Sequence, residues 1–201
     1  MRRSPLVAAV SIAAVIALAG CGSSRSTGTS SPSTASPAVT APSSIAPATS
    51  VPVASVLTSA EQADLALVHE QERAGADAYA LFASRYPDKP VFSNLTSSQK
   101  VQLATVTAMM TRYGLADPSS GLPAGRYADP AVQQLYDSTV AAGTTVDHAL
   151  DAIVHFEEQH MASLKAAASR TTRSDLDTMY TNLGLASTAH ITACHVAGVS
   201  S

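Results

Sequence analysis

The 201-residue chain has little charge, almost no thiol and no tryptophan: 13% of residues are Asp, Glu, Lys or Arg, and two are cysteine. The missing tryptophan decides nothing, but the other absences exclude a good deal. Nowhere do Lys and Arg cluster, so nucleic-acid binding lacks the basic patch it needs. All 15 acidic residues and 9 of the 12 Lys and Arg follow residue 55, which leaves that part of the chain with a net charge of −6. The longest apolar run, residues 6–19, holds 14 residues counting Ser11, short of the roughly 20 that a spanning helix needs. No segment alternates apolar and polar residues as a half-buried strand would.

That apolar run is preceded by Arg2 and Arg3 and ends in Leu18-Ala19-Gly20-Cys21. A positive start, a short apolar core and small residues at the end are the marks of an export signal. Small residues meeting a cysteine resemble the lipobox of bacterial lipoproteins, in which the cysteine becomes the lipidated first residue. The competing reading is an ordinary secretory signal with a chance cysteine. The expectation is a signal over residues 1–20, Cys21 as lipid anchor, and an exported, extracytoplasmic protein held to the cell membrane. Cys194 is then the one remaining thiol and no internal disulfide can form.

Residues 22–55 are dominated by Ser, Thr, Pro and Ala with a single charge, Arg25. Such a composition buries too little apolar surface to offset the entropy of ordering. With Cys21 it reads as a tether over residues 21–55, and as a flexible coil it would span about 30 Å.

Residues 56–201 have the length of one domain, and their periodicity is helical throughout. Thr58-Ser59-Ala60-Glu61 has the spacing of a capping box, opening a helix that runs to about Tyr86 and is stopped by Pro87. Its inward stripe is Leu65, Val68, Glu72, Ala76, Tyr79 and Phe82. A second helix is expected from Ser93 or Asn94 to Tyr113, stopped by Gly114, with the stripe Leu95, Gln99, Gln102, Val106 and Met109/Met110. The next thirty residues are rich in turn formers and hold a short helix capped by Asp129, with Pro130 in its first turn and Gly143 at its end. Two further long helices follow, over residues 146–168 and 174–196, the second weakened by Gly184. Two helical hairpins joined by one long crossover match the connectivity of ferritin-like four-helix bundles. The fold class expected is therefore all-α, a ferritin-like bundle whose crossover between the second and third long helices carries the short one.

In the segment "VHFEEQHMASL" a carboxylate and an imidazole, Glu157 and His160, stand three apart on the same side as Ile153, Phe156 and Leu164. Glu72 of the first helix and His190 of the last, with Ser187 before it, fall on inward stripes as well. Carboxylate and imidazole ligands projecting from neighbouring helices suit iron, manganese or zinc. Two Glu and two His suit one divalent ion. The second helix offers Gln99 and Gln102, which bring no charge, as ligands or supporting partners, and Tyr79 as a partner of Glu72 or a plain core aromatic. The competing reading is a metal-free cluster in which two Glu–His pairs neutralise each other. Met109, Met110, Met161 and Met179 read as core filler, with a soft copper site the lesser alternative. Cys194 reads as a fifth ligand or a small buried residue, Glu70 as solvated, and His148 and His155 as surface residues.

Several phrases together resemble the ferritin-like family catalogued as domain of unknown function 2202. They are "HEQERAGADAY", "VFSNL", "RYGLADP", "QQLYD", "FEEQH" and "NLGLASTAH", spread over residues 57–194. The resemblance implies a bundle with a ferritin-like metal centre. By position, Glu72, Glu157 and His190 match ligand-type residues, and His160 stands where the family usually has an acid. Gln99 and Gln102 stand where the family has the Glu and His of its second helix. The expectation is a lipid-anchored envelope protein binding one divalent metal through Glu72, Glu157, His160 and His190, with weak redox chemistry as an added capacity. The alternative is a metal-free interaction module with a degenerate site.

Overall fold

The computed structural model describes residues 56–199, so Cys21 and the expected signal and tether lie outside the described residues. The described residues form five helices: α1 Ser59–Arg85, α2 Pro90–Arg112, α3 Pro130–Ala142, α4 Val146–Arg170 and α5 Ser174–Val199. No strand occurs among them.

The helix ends follow from local chemistry. The capping box is formed: Glu61 N–H donates to Thr58 Oγ1 at 3.2 Å, and Thr58 N–H donates to Glu61 Oε2 at 2.9 Å. The Thr58 amide is the main reason that the Glu61 carboxyl lies at about 2, against the upward push of burial; bonds from the side chains of Thr171, Thr58 and Arg173 add to it. Through Thr171 and Arg173 the same carboxylate ties the turn between α4 and α5 to the start of α1. Helix α2 begins at Pro90, ahead of the Ser93 or Asn94 start expected from the sequence. A proline in the first turn loses no bond, because that N–H has no helical partner anyway. The Ser93 hydroxyl accordingly donates back to Pro90 O and caps nothing. The α2 exit is a Schellman turn: Gly114 has φ 68°, and Leu115 N–H donates to Met110 O at 2.9 Å. A left-handed residue there favours glycine. Helices α4 and α5 run two and three residues past their expected ends.

Each long helix has two long neighbours. Helix α1 packs along α2 and against α4, and α5 packs along α4 and lightly against α2, while α3 lies on α1 and α4. The stripes that face inward fill two apolar clusters. One holds Tyr79, Phe82, Phe92, Leu95, Ile153, Phe156 and Cys194. The other holds Leu65, Val68, Val106, Met110, Leu164, Leu176, Met179, Tyr180 and Leu183. Met109 and Met161 are half-buried at the edge of the core.

The crossover is fastened to the outer face of α1 by three charged residues a turn or two apart. The Arg73 guanidinium donates to Ser119 O at 2.7 Å and Leu122 O at 2.6 Å. Asp77 accepts from Gly125 N–H at 2.9 Å and Tyr127 O–H at 2.7 Å. Glu70 accepts from the Ser119 hydroxyl and from the N–H groups of Ala128 and Asp129 at 2.7 and 2.9 Å. This corrects the expectation of a solvated Glu70: it is buried, because the crossover leaves amides beside it that need an acceptor. His148 and His155 are exposed.

Gly143, just past α3, is required by close approach. A Cβ there would stand 2.2 and 2.4 Å from two ring carbons of Phe82, whose side chain is fully buried. Gly143→Ala is therefore expected to cost about 2 kcal/mol, as overpacked cores do, read as a lowered urea midpoint with an unchanged slope.

Candidate functional site

Between the two apolar clusters runs a polar layer to which all four long helices contribute. Along α1 it is Gln71 and Glu72, along α2 Gln99 and Gln102, along α4 Glu157 and His160, and along α5 Ser187 and His190. Glu72, Gln99, Glu157, His160 and Ser187 are 0% exposed and His190 is 4% exposed. On every helix, apolar residues of one cluster precede the layer and residues of the other follow it.

The layer is organised as two Glu–His pairs that cross between helices. In the first, His160 Nε2 donates to Glu72 Oε1 at 3.0 Å. The other ring nitrogen, Nδ1, faces Gln71 Oε1 at 3.1 Å. Both neighbours are acceptors, so the ring donates at both positions and carries a charge. Burial pushes the imidazolium down, but the bonded Glu72 carboxylate outweighs it and holds His160 above its usual value. The Gln71 amide passes the chain on to Ser163 Oγ at 3.0 Å. The second oxygen of Glu72 accepts from Gln99 Nε2. Gly75 gives that amide its room: a Cβ there would lie 2.9 Å from Gln99 Nε2 and 3.1 Å from a Phe156 ring carbon.

In the second pair, His190 Nδ1 donates to Glu157 Oε1 at 2.7 Å. Tyr79 O–H donates to the same oxygen, also at 2.7 Å. Tyr79 is thus a partner of Glu157 and not of Glu72, because its ring lies edge-on to Phe156 and His190 on the Glu157 side. Burial, then the Glu157 charge, raise the Tyr79 phenol well above its usual value, so it stays protonated. Burial pushes the Glu157 carboxyl up, but the bonded His190 outweighs it and the net shift is downward. His190 Nε2 meets Ser98 Oγ at 2.8 Å and Gln102 Nε2 at 3.2 Å.

Several buried oxygens in the layer lack a donor. Gln99 Oε1, Gln102 Oε1 and Glu157 Oε2 have none. Ser187 Oγ stands beside Glu157 without closing a bond. Unpaired buried acceptors are costly, and oxygen donors without protons are what a hard or borderline cation requires. In donor type and in orphaned oxygens, the residues present therefore fit a divalent ion. The present orientation is that of pairs: among the described residues no three of His, Cys, Asp and Glu already converge as a ligand group. Cys194 packs in an apolar cluster, where burial and Glu157 push its thiol up to about 12.

Sequence reasoning brought Glu72, Gln99, Gln102, Glu157, His160 and His190 to one level, and the structure places them there. It missed Gln71 and Ser98. The signal for Ser98 is its place four residues before Gln102, on the same helix face. Gln71 carries none, since it sits one residue off the stripe.

The charge on His160 sets a pH dependence. A histidine raised by folding contributes stability that is complete below its usual value near 6.5 and is lost as pH rises through the folded value. The urea midpoint is expected to fall as the pH rises above about 6.5. It should fall less in the double variant Glu72→Gln, His160→Gln, where two amides replace the pair. His69, which burial pushes down, acts only below its own usual value and does not interfere. Equal slopes in the two proteins would count against a charged His160.

The family model described as "Uncharacterized protein domain (DUF2202)" matches residues 61–199. Among solved structures the chain is similar to hypothetical protein MJ0754 from Methanococcus jannaschii DSM 2661, with 23% identity and a TM-score of 0.65. The likeness covers 69% of this chain and 79% of that one, and at this identity it bears on the fold alone. No curated protein matches. The helices that build the polar layer all lie within or at the edge of the matched residues, and the chain belongs to the DUF2202 family.

Proposed function

We propose that this chain is a ferritin-like four-helix bundle, exported and lipid-anchored at the cell membrane through Cys21, that binds one divalent metal ion through Glu72, Glu157, His160 and His190. The observation that carries the reading is the buried layer itself: two carboxylates and two imidazoles from three helices, beside oxygens without donors. Burying such pairs is often worse for stability than apolar packing of the same volume. A core built only for stability has no use for them.

Charge decides the number of ions. Glu72 and Glu157 balance one divalent ion, whereas two ions would leave two positive charges uncompensated, because Gln99 and Gln102 are neutral. Iron, manganese and zinc suit carboxylate and imidazole donors; copper suits them less here, since Met110 and Met179 pack in an apolar cluster away from the layer. Iron or manganese would supply one-electron chemistry with oxygen or peroxide. The residues' own part is to hold the donors in a dry layer, with Tyr79 fixing Glu157 and with Gln71 and Gln99 fixing His160 and Glu72.

A second reading is a metal-free helical interaction module in which the two Glu–His pairs neutralise each other. What favours it is that every ring nitrogen of His160 and His190 already has a partner. Elemental analysis of the protein, purified without a metal-affinity tag, separates the two. The metal reading expects close to one ion per chain, lost in His160→Ala. No metal after exposure to iron, manganese, zinc and copper leaves the module reading. For the anchor, Cys21→Ser is expected to release the protein from the membrane fraction, and retention of that variant would contradict lipidation at Cys21.

A further inference from the structure

The layer is sealed unevenly. Five of its members, Glu72, Gln99, Glu157, His160 and Ser187, are wholly buried. Gln71, 6% exposed, stands between α1 and α4 and covers His160, whereas His190, 4% exposed, and Gln102, 7% exposed, stand where α2 meets α5, so it is there that a histidine of the layer is itself open to solvent. That seam is the lightest of the contacts between long helices, whereas α1–α2 and α4–α5 are packed along their length and α3 lies against both α1 and α4. At the seam, the half-buried Ser98 closes on His190 Nε2 at 2.8 Å and accepts from Gln102 Nε2 at 3.3 Å. On the opposite side, His160 is separated from the half-buried Ser163 by the whole Gln71 side chain. Orphaned Gln102 Oε1 belongs to the α2–α5 seam too, so a hydrated solute entering there meets an acceptor without a donor.

We propose that the α2–α5 seam is the port through which small hydrated solutes, divalent cations first among them, reach the buried layer, and that Ser98 is its gate. Turning the small Ser98 side chain breaks its bonds with His190 Nε2 and Gln102 Nε2 and leaves Gln102, 3.2 Å from that ring nitrogen, as the remaining neighbour to displace. The port rests on the layer's geometry; its use by a metal ion rests in addition on the metal-binding reading.

The test compares the wild type with Ser98→Leu, which plugs the seam, Ser98→Thr as a milder plug, and, as the control, Ala162→Leu at an exposed position of α4 outside the layer. One measurement is the rate at which diethyl pyrocarbonate modifies His190, mapped by peptide mass spectrometry, with exposed His155 as the internal reference. The other is the rate of Co2+ loading followed by absorbance. Ser98→Leu is expected to slow both by about tenfold or more, equivalent to roughly 1.4 kcal/mol of added barrier. Final cobalt stoichiometry should be unchanged, Ser98→Thr intermediate and Ala162→Leu as wild type. Wild-type rates in both Ser98 variants, or equal slowing in Ala162→Leu, would overturn the port. If the wild type takes up no cobalt, the metal-binding reading fails, and the His190 modification rate alone decides the port.

Discussion

The constraint on which the rest of the structure depends is the pairing of Glu72 with His160 and of Glu157 with His190 across helices in the middle of the core. An unpaired carboxylate at that depth would cost several kcal/mol. Each charge therefore fixes where its partner's helix must lie. The two pairs tie α1 to α4 and α4 to α5, and the amides of Gln99 and Gln102 bring α2 against both. Register follows: with the layer in line, Phe92 of α2 meets Phe82 of α1 and Leu95 joins the cluster of Tyr79, while Val106 and Met110 join that of Val68 and Leu65. Apolar packing supplies most of the driving force, but it is non-directional and would tolerate a shifted helix. The polar layer would not.

The two pairs are not equivalent. Glu72 and His160 are enclosed on all sides, with both ring nitrogens and both carboxylate oxygens engaged. Glu157 shares one oxygen between Tyr79 and His190 and leaves the other without a donor. Orphaned oxygens stand beside both pairs, Gln99 Oε1 by Glu72 and Glu157 Oε2 in the second pair, and a partly satisfied network is destabilising compared with an apolar core.

The helices were legible because each is written twice, in its stripe and in its caps. Thr58 with Glu61, Asp129 with Pro130, and Gly114 all mark their ends by the chemistry the sequence displays. The start of α2 was not legible, since Lys89 makes no side-chain cap and Ser93 imitates one. Within the site, inward direction could be read from spacing, which is how Glu72, Glu157, His160 and His190 were found together. Which carboxylate meets which imidazole could not. Glu157 and His160 share a helix face and look like a pair, yet each reaches a neighbouring helix instead, and that choice belongs to packing. Glu70 shows the same limit: its role comes from a hydroxyl and an amide nearly fifty and sixty residues away, at Ser119 and Asp129.

The most direct test of the central claim is a count of protons released when Zn2+ binds, from titration calorimetry in buffers of different ionisation enthalpy at pH 6.5. A metal ligand must give up its proton, and His160 is held charged by Glu72 in the metal-free layer. The account predicts one ion per chain with release of about one proton, abolished together with binding in His160→Ala. Zinc that binds without proton release, or equally well without His160, would contradict it, as would the absence of any binding heat.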